Sequence, residues 1–456
     1  MKNVKRNIVL ILLVSFAAKV FAFSSSEMDS YLESVVKSYH VPGMAFFITN
    51  SNETLFEKTY GQCTSLNQKF FIGSESKSFT ALCIMQLVEE GLINLDEDIT
   101  KYLPDLSFSK PVTVKMLLNQ NSGFDTHAKL KNVRVTDSYG RYEYANVNYD
   151  LLGKIVESVS GMSYKDYIYK NVLMPLSMND SVADAGSVRG DKNLLKGNRN
   201  FFGFFVPGEA DYPTENSWFH ESAGYICSSP SDFQKYLRMY LNGGKNENGT
   251  EIISALGLNR MWSDSIFQGN DSGEKYGMGW NIGNFGGTTV YFHGGQVENY
   301  ITFMFIIPSK NLAVSFMING NDHFGMNNLM NDAVLGIVNI INRKNPAPAK
   351  ASSYLLIHLA IDFVYLFILI LSLMFFIKSF GKKRNGKIPV KVLVILFHAL
   401  WIFALIFAIP LAFKTPLWVV RSYVPDLFTV IVLSLALTVS GCVIRITALI
   451  KTCTKN

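Results

Sequence analysis

The chain has 456 residues, more than one ordinary domain holds. Hydrophobic residues make up 48% of it and charged residues only 17%, a charged share that is low for a soluble protein. The net charge of +6 is concentrated after Lys344, beside long apolar runs, so it marks membrane topology rather than a nucleic-acid surface. An arginine-rich strip or a basic motif with interleaved aromatics is missing, which excludes nucleic acid as an expected partner.

The chain opens like an export signal. Lys2, Lys5 and Arg6 precede a short apolar core, Ile8 to Ala18, and Val20-Phe21-Ala22 resembles a small-residue cleavage site. Residues 1–22 are therefore expected to be a signal peptide cut after Ala22, with an uncleaved anchor as the alternative that Lys19 leaves open. Met44–Thr49 and Thr54–Tyr60 read as two strands around an Asn50-Ser51-Asn52 turn. Ser74–Glu90 reads as a helix stopped by Gly91, apolar around nearly its whole circumference and so placed in a core. Residues 112–161 pattern as helix and turn, and residues 186–222 as surface loops. Tyr276–Ile282, Thr288–Phe292, Tyr300–Ile307 and Leu312–Ile318 read as strands joined by tight turns, and Met326–Asn342 as a closing helix.

Strands at both ends and helices in the middle predict an α+β domain over residues 23–343, an antiparallel sheet flanked by helices with an inserted helical region. A Pro-Ala linker, 344–352, leads to three segments long enough to cross a bilayer, 353–377, 392–413 and 427–449. The loop between the first two carries Lys378, Lys382, Lys383, Arg384, Lys387 and Lys391, which places it in the cytoplasm. The expected localisation is thus a multi-pass protein of the cell membrane with its main domain on the extracytoplasmic side, in agreement with the signal. Cys63, Cys83 and Cys227 allow at most one disulfide in that domain, and no Cys or His spacing suggests a metal.

The stretch Phe71-Ile-Gly-Ser-Glu-Ser-Lys-Ser-Phe79 carries the chemistry. A serine hydroxyl needs a neighbour to take its proton, and a buried lysine can do so once its pKa falls. Ser74 and Lys77 are three apart and share a helix face, whereas Ser76 and Ser78 adjoin Lys77 and point elsewhere. Ser74 is also expected at a helix N-terminus, where free N–H groups favour a developing oxyanion. The spacing alone is weak: Ser34/Lys37, Ser107/Lys110, Ser272/Lys275 and Ser379/Lys382 share it. A helix-capping Ser74 with Lys77 reaching solvent is the plain structural alternative. Tyr144-Ala145-Asn146 offers a proton relay and an amide, and Tyr291-Phe-His-Gly-Gly-Gln296 ends a strand with a histidine and two glycines that permit close backbone approach.

Taken together these segments resemble the serine β-lactamase and penicillin-binding protein family. FIGSESKSFTA resembles its Ser-x-x-Lys motif. VTVKMLLNQNSGF (112–124) and SAGYICSSPSDFQKYL (222–237) are similar to two further shared segments. YEYANVNYDLLG is similar to the Tyr-x-Asn motif of the class C β-lactamase and D,D-peptidase branch, and FHGG stands where that family has Lys-Thr-Gly. Order and spacing agree over residues 28–343, and the combination is specific although each motif alone is not. The resemblance implies acyl transfer without metal or organic cofactor. Ser74 would be the nucleophile, Lys77 and Tyr144 would share the base and acid roles, and Asn146, His293 and Gly295 would bind substrate. The backbone N–H groups of Ser74 and Gln296 would form the oxyanion hole.

His293-Gly294-Gly295 departs from the pattern, since histidine is charged only part of the time near neutral pH and Gly294 has no hydroxyl. That weakens strict β-lactamase or D-Ala-D-Ala carboxypeptidase activity. The expectation is a membrane-anchored serine hydrolase of D-peptidase or esterase type, acting on peptide, amide or ester bonds, with cell-wall D-peptides as the first substrate class. The alternative is an acylatable ligand sensor coupled to the membrane helices, suggested by Asp362 inside the first apolar run. The oligomeric state is left open.

Overall fold

The computed structural model describes residues 23–454 apart from 270–272, 286, 347–348, 350, 382–387 and 413. The expected signal, the basic stretch 382–387 and part of the expected linker lie outside the described residues.

Helix α1 (Ser25–Ser38) leads into strands β1 (Gly43–Thr49) and β2 (Thr54–Gly61). The sheet is completed from the far end of the domain by β5 (Ile266–Phe267), β6 (Lys275–Gly277), β7 (Trp280–Phe285), β8 (Thr288–Val297), β9 (Tyr300–Ile307) and β10 (Leu312–Ile318). Eight strands run in the order β2-β1-β10-β9-β8-β7-β6-β5, every neighbouring pair antiparallel. Strands from the two ends of the domain therefore meet side by side, second and third from one edge, with Met44 paired to Ile318. β1, β9 and β10 are buried along their full length because both sheet faces are covered. The period of two sorts their side chains: Phe46, Ile48, Phe303, Phe305 and Phe316 face α1 and the closing helix α5 (Met326–Ile341). Ala45, Phe47, Met304 and Met317 face the helical half of the domain.

That half is built on α2 (Ser76–Glu89), flanked by α3 (Asn146–Ser160) and α4 (Pro230–Leu241). Almost every residue of α2 is buried, as its all-round apolar pattern requires. Phe79 stacks on Tyr236 of α4 with ring centroids 3.8 Å apart. Burial of a Phe, Leu or Ile side chain contributes about 1.5–3 kcal/mol, so this helix is firmly held.

Three local expectations are corrected. The helix does not begin at Ser74: residues Gly73–Glu75 form a separate 3-10 turn, and α2 starts at Ser76. The cause is Gly73, whose φ of +54° turns the chain before the helix can start. The expected strand Tyr276–Ile282 is broken into β6 and β7 by Met278 and Gly279, both at positive φ. A Cβ on Gly279 would fall 2.8 Å from the Cα of Ser78, so the bend lets the hairpin press on the start of α2. The stretch 186–222, expected as loop throughout, contains a hairpin of β3 (Asn198–Phe201) and β4 (Phe204–Pro207). Cys63, Cys83 and Cys227 are all buried and unpaired.

Three helices follow that are long and apolar enough to cross a membrane, over residues 354–378, 388–412 and 425–453. They are α6 (Ala351–Lys378), α7 (Ile388–Phe403, prolonged irregularly to Ala412 around Pro410) and α9 (Pro425–Cys453). A short helix α8 (Leu417–Tyr423) joins the second to the third. At 1.5 Å per residue, 25 residues reach about 37 Å, enough to cross a hydrocarbon layer of about 30 Å. The bundle is docked on the α+β domain rather than merely tethered to it. The His358 imidazole donates to Asp322 Oδ2 at 2.7 Å, Asn200 Nδ2 donates to the Tyr354 hydroxyl at 3.1 Å, and the Phe202 amide donates to Asp426 Oδ2 at 3.3 Å. Trp418 of α8 lies edge-on to Trp218 with centroids 5.4 Å apart.

Candidate active site

Ser74 sits on the 3-10 turn between β8 and α2. The turn presses so closely on β8 that neither partner could carry a side chain. A Cβ on Gly73 would fall 2.3 Å from the Gln296 nitrogen, and one on Gly295 would fall 1.9 Å from the Ile72 carbonyl oxygen. The Thr302 hydroxyl, opposite Gly295 on β9, donates to the same carbonyl at 2.9 Å. These contacts place the Gln296 backbone beside the serine turn, and both Ser74 and Gln296 line one cavity. Gly295 thus serves the packing of strand on turn.

Lys77 is wholly buried. Its amine is 3.0 Å from Ser74 Oγ, 2.7 Å from Asn146 Oδ1 and 2.6 Å from the Ala223 carbonyl oxygen. The amide and backbone oxygens can only accept. A neutral amine has two N–H groups, one for each, and its lone pair is then left for the serine O–H. Burial lowers the Lys77 pKa to about 7, with Asp150 pulling the other way, so this neutral form is well populated near neutral pH. The Tyr144 ring lies under the amine at 4.9 Å, and Tyr144 and Ser74 line the same cavity. Burial pushes the Tyr144 phenol far up, so it remains protonated. Asn146 is the first residue of α3, which carries Tyr144 and Asn146 to the serine together.

Ser76 and Ser78 are structural: Ser76 Oγ accepts from the Ile226 amide, and Ser78 donates to the Glu75 carbonyl and accepts from Tyr236. Ser74 is no helix cap, because Ile72 and Glu75 occupy the two cap positions and neither makes a side-chain cap bond.

His293 does not line the cavity expected to hold substrate. It is buried beneath Tyr144 and Tyr276, with ring centroids 6.3 and 5.9 Å away. Its Nδ1–H donates to the Gly294 carbonyl at 2.7 Å, which leaves Nε2 to accept from the Tyr276 hydroxyl at 3.3 Å. Burial, reinforced by Lys77, lowers its pKa to about 3, so it is a neutral support for the tyrosines and not a cation. The part-time charge expected from sequence is removed by this burial.

Sequence reading missed several participants. The Ala223 carbonyl comes from the Ser222–Leu237 segment, which resembled the family but offered no side chain to suggest a role. Glu75 is fully buried beside the serine, and burial holds its carboxyl well above the usual range. Above Ser74 the cavity, about 290 Å³, is walled by Trp218, Phe219 and Phe324 and by Val419, Val420, Tyr423, Val424 and Leu427. The last five belong to α8 and the start of α9, which sequence reading placed outside the active domain. No cluster of His, Cys, Asp and Glu able to hold a metal occurs among the described residues.

The profile of the Beta-lactamase family matches residues 28–338. The chain belongs to the beta-lactamase family. Within it the fold is the expected α+β one, and the family is one of serine hydrolases. The chain is 27% identical over 335 residues to Protein flp of Staphylococcus aureus (strain MRSA252), an alignment covering 66% of this chain and 64% of that protein. This beta-lactamase-family chain thus spans under two thirds of that relative's length. Among solved structures, the octameric penicillin-binding protein homologue from Pyrococcus abyssi superposes with a TM-score of 0.61 at 28% identity, covering 72% of this chain and 79% of that one. A D-stereospecific amidohydrolase from Streptomyces sp. shares the fold, with a TM-score of 0.55 at 19% identity over 65% of this chain and 94% of that one.

Proposed function

We propose that this chain is a membrane-anchored serine hydrolase that cleaves ester, amide or peptide bonds through an acyl-enzyme on Ser74. The single observation that carries the reading is the Lys77 amine. Two obligate acceptors lie 2.7 and 2.6 Å from it and Ser74 Oγ lies 3.0 Å away, so in its neutral form, with a proton given to each acceptor, the lone pair is left for the serine. Ser74 attacks the carbonyl while Lys77 takes the hydroxyl proton. The Ser74 and Gln296 backbone N–H groups receive the oxyanion, and each such donor is worth about 10²–10³ in rate. Tyr144 passes the proton on to the leaving group, and water then releases the acyl group by the reverse relay. Asn146 positions the amine and reaches the same cavity. The catalytic domain and α8 lie at the same end of the membrane helices, which supports the extracytoplasmic placement read from the basic loop.

The expected cell-wall D-peptide remains a candidate substrate, with one observation against it. Among the described residues no Lys or Arg lines this cavity to hold a terminal carboxylate, the cations Lys129, Arg199 and Arg421 lining instead an adjoining pocket beyond Trp218, Phe219 and Tyr423, and burial lowers the pKa of the lining residues His127 and His323. Esters and neutral amides fit this lining better than a D-Ala-D-Ala terminus does.

The test is labelling of the full chain by a fluorophosphonate probe, followed by mapping of the adduct. The expected result is one adduct, on the peptide containing Ser74, absent from Ser74→Ala. Labelling that persists in Ser74→Ala would refute the assignment. Repeated product release from an ester or amide marks an enzyme; one trapped acyl group per chain would favour the sensor alternative.

A further inference from the structure

The wall of the cavity opposite Ser74 is supplied by the membrane region. Val419 and Val420 lie on α8, Val424 caps α9, and Leu427 is the third residue of the last membrane-crossing helix. Thr415, three residues past the end of the second, lines the cavity as well. The space above the serine is therefore bounded by the upper ends of two helices long and apolar enough to cross a membrane. Among the described residues its lining includes no Asp, Glu, Lys or Arg, and Phe324, Val420, Val424 and Leu427 belong to the apolar cluster that packs α6 against α9. A cavity with one reactive polar end and one apolar end that abuts the bilayer suits a molecule of the same build.

We propose that the substrate is an amphiphile drawn from the bilayer, with an acyl chain lying along Phe324, Val420, Val424 and Leu427 and its ester or amide carbonyl at Ser74. The inference rests on the hydrolase reading of Ser74. The Ser74 Oγ–acyl carbon bond forms as the bond from carbonyl carbon to the leaving oxygen or nitrogen breaks. The serine proton passes through Lys77 and Tyr144 to the leaving group. Water then cleaves the acyl-enzyme, leaving a fatty acid and free Ser74. Soluble peptides lack the apolar part that this wall would cover. Each methylene moved from water to an apolar wall is worth about 0.8 kcal/mol, or roughly fourfold in kcat/KM.

The test uses the full chain in nanodiscs with p-nitrophenyl acetate, p-nitrophenyl octanoate and an acylated D-Ala-D-Ala peptide. The octanoyl ester is expected to exceed the acetyl ester by at least about tenfold in kcat/KM, on the methylene scale above. Partitioning of the long ester into lipid cancels when variants are compared in the same discs. Val424→Phe, which narrows the groove, and Val420→Asn, which wets it, are each expected to lower the octanoyl-to-acetyl ratio at least fivefold. An acetyl ester turned over as fast as the octanoyl, or a ratio unchanged in both variants, overturns the inference while the hydrolase reading stands. Turnover of the D-Ala-D-Ala peptide alone has the same consequence. If no substrate is turned over and no fluorophosphonate label appears on Ser74, both fall.

Discussion

The pH dependence of acylation follows from the state of one amine. Burial brings the Lys77 pKa from 10.5 to about 7, and that drop corresponds to about 5 kcal/mol against the charged form. At pH 7 about half of the amine is neutral, against roughly one part in three thousand for an ordinary lysine. The gain in usable base is therefore about a thousandfold at neutral pH. Because the base must be unprotonated, kcat/KM for an activated ester is expected to rise tenfold per pH unit below about 7 and to level off above it. Histidines could produce a limb in the same range, so they must be separated. His127 and His323 line the cavity with pKa values lowered by burial, and His220 has its value raised by Asp150 against an opposing burial effect. Replacing each of the three by Gln should leave the limb near 7, whereas Lys77→Arg, which stays protonated, should remove acylation over the whole range. A stopped-flow profile of ester acylation from pH 5 to 10 is the assay. A flat profile, a limb above pH 9, or a limb that disappears with a histidine would refute the role given to Lys77.

Two further substitutions probe the same geometry. Asn146→Asp puts a carboxylate where an amide oxygen now lies 2.7 Å from the Lys77 amine, which favours the ammonium form and should move the limb alkaline by about 1–3 units. Activity should fall at pH 7 and recover towards pH 9, and an unmoved limb would contradict the neutral-amine arrangement. Gly295→Ala drives a Cβ to 1.9 Å from the Ile72 carbonyl oxygen and 2.4 Å from the Thr302 hydroxyl. The strand must retreat from the serine turn, at about 1–3 kcal/mol of stability by thermal unfolding and about 10² in acylation rate if the Gln296 donor moves with it. Full acylation in that variant would mean that Gln296 is not part of the oxyanion site.

The sequence made some levels of this structure legible and hid others for physical reasons. Core strands announced themselves because alternating apolar residues must serve two packed faces, so Met44–Thr49, Tyr300–Ile307 and Leu312–Ile318 appear where their patterns lie. The Ser74–Lys77 pair was legible because its partners are three residues apart on one turn. Asn146 was singled out as well, but the Ala223 contact was not, since it acts through a backbone carbonyl from far along the chain. The state of His293 was invisible for another reason: burial and the nearby Lys77 decide its charge, and neither can be read from His-Gly-Gly. The start of α2 was misplaced by two residues because a glycine at positive φ breaks the turn locally while the apolar pattern runs straight through it.

The three helices long and apolar enough to cross a membrane raise a question of economy, since one such helix would anchor a domain. Their packing supplies an answer. α6 alone would hold the domain at the surface, and its exposed Leu359, Phe363, Phe367 and Ile370 suit lipid contact. α7 and α9 bring back the chain between them, and this returning segment is what reaches the active site. Trp418 docks against Trp218, the Lys129 amine lies 4.5 Å from the Trp418 ring, and Val420, Val424 and Leu427 are buried. Burying each of these aliphatic side chains is worth about 1.5–3 kcal/mol, enough to keep the segment seated over the cavity against thermal agitation. The hairpin tip at Phe202 ties to both helices, through the hydrogen bond from its backbone N–H to Asp426 of α9 and its edge-on contact with Tyr365 of α6. The bundle thus forms one wall of the cavity above Ser74, and removing its last two helices is expected to uncover Trp218 and Phe324 and open the cleft over the serine.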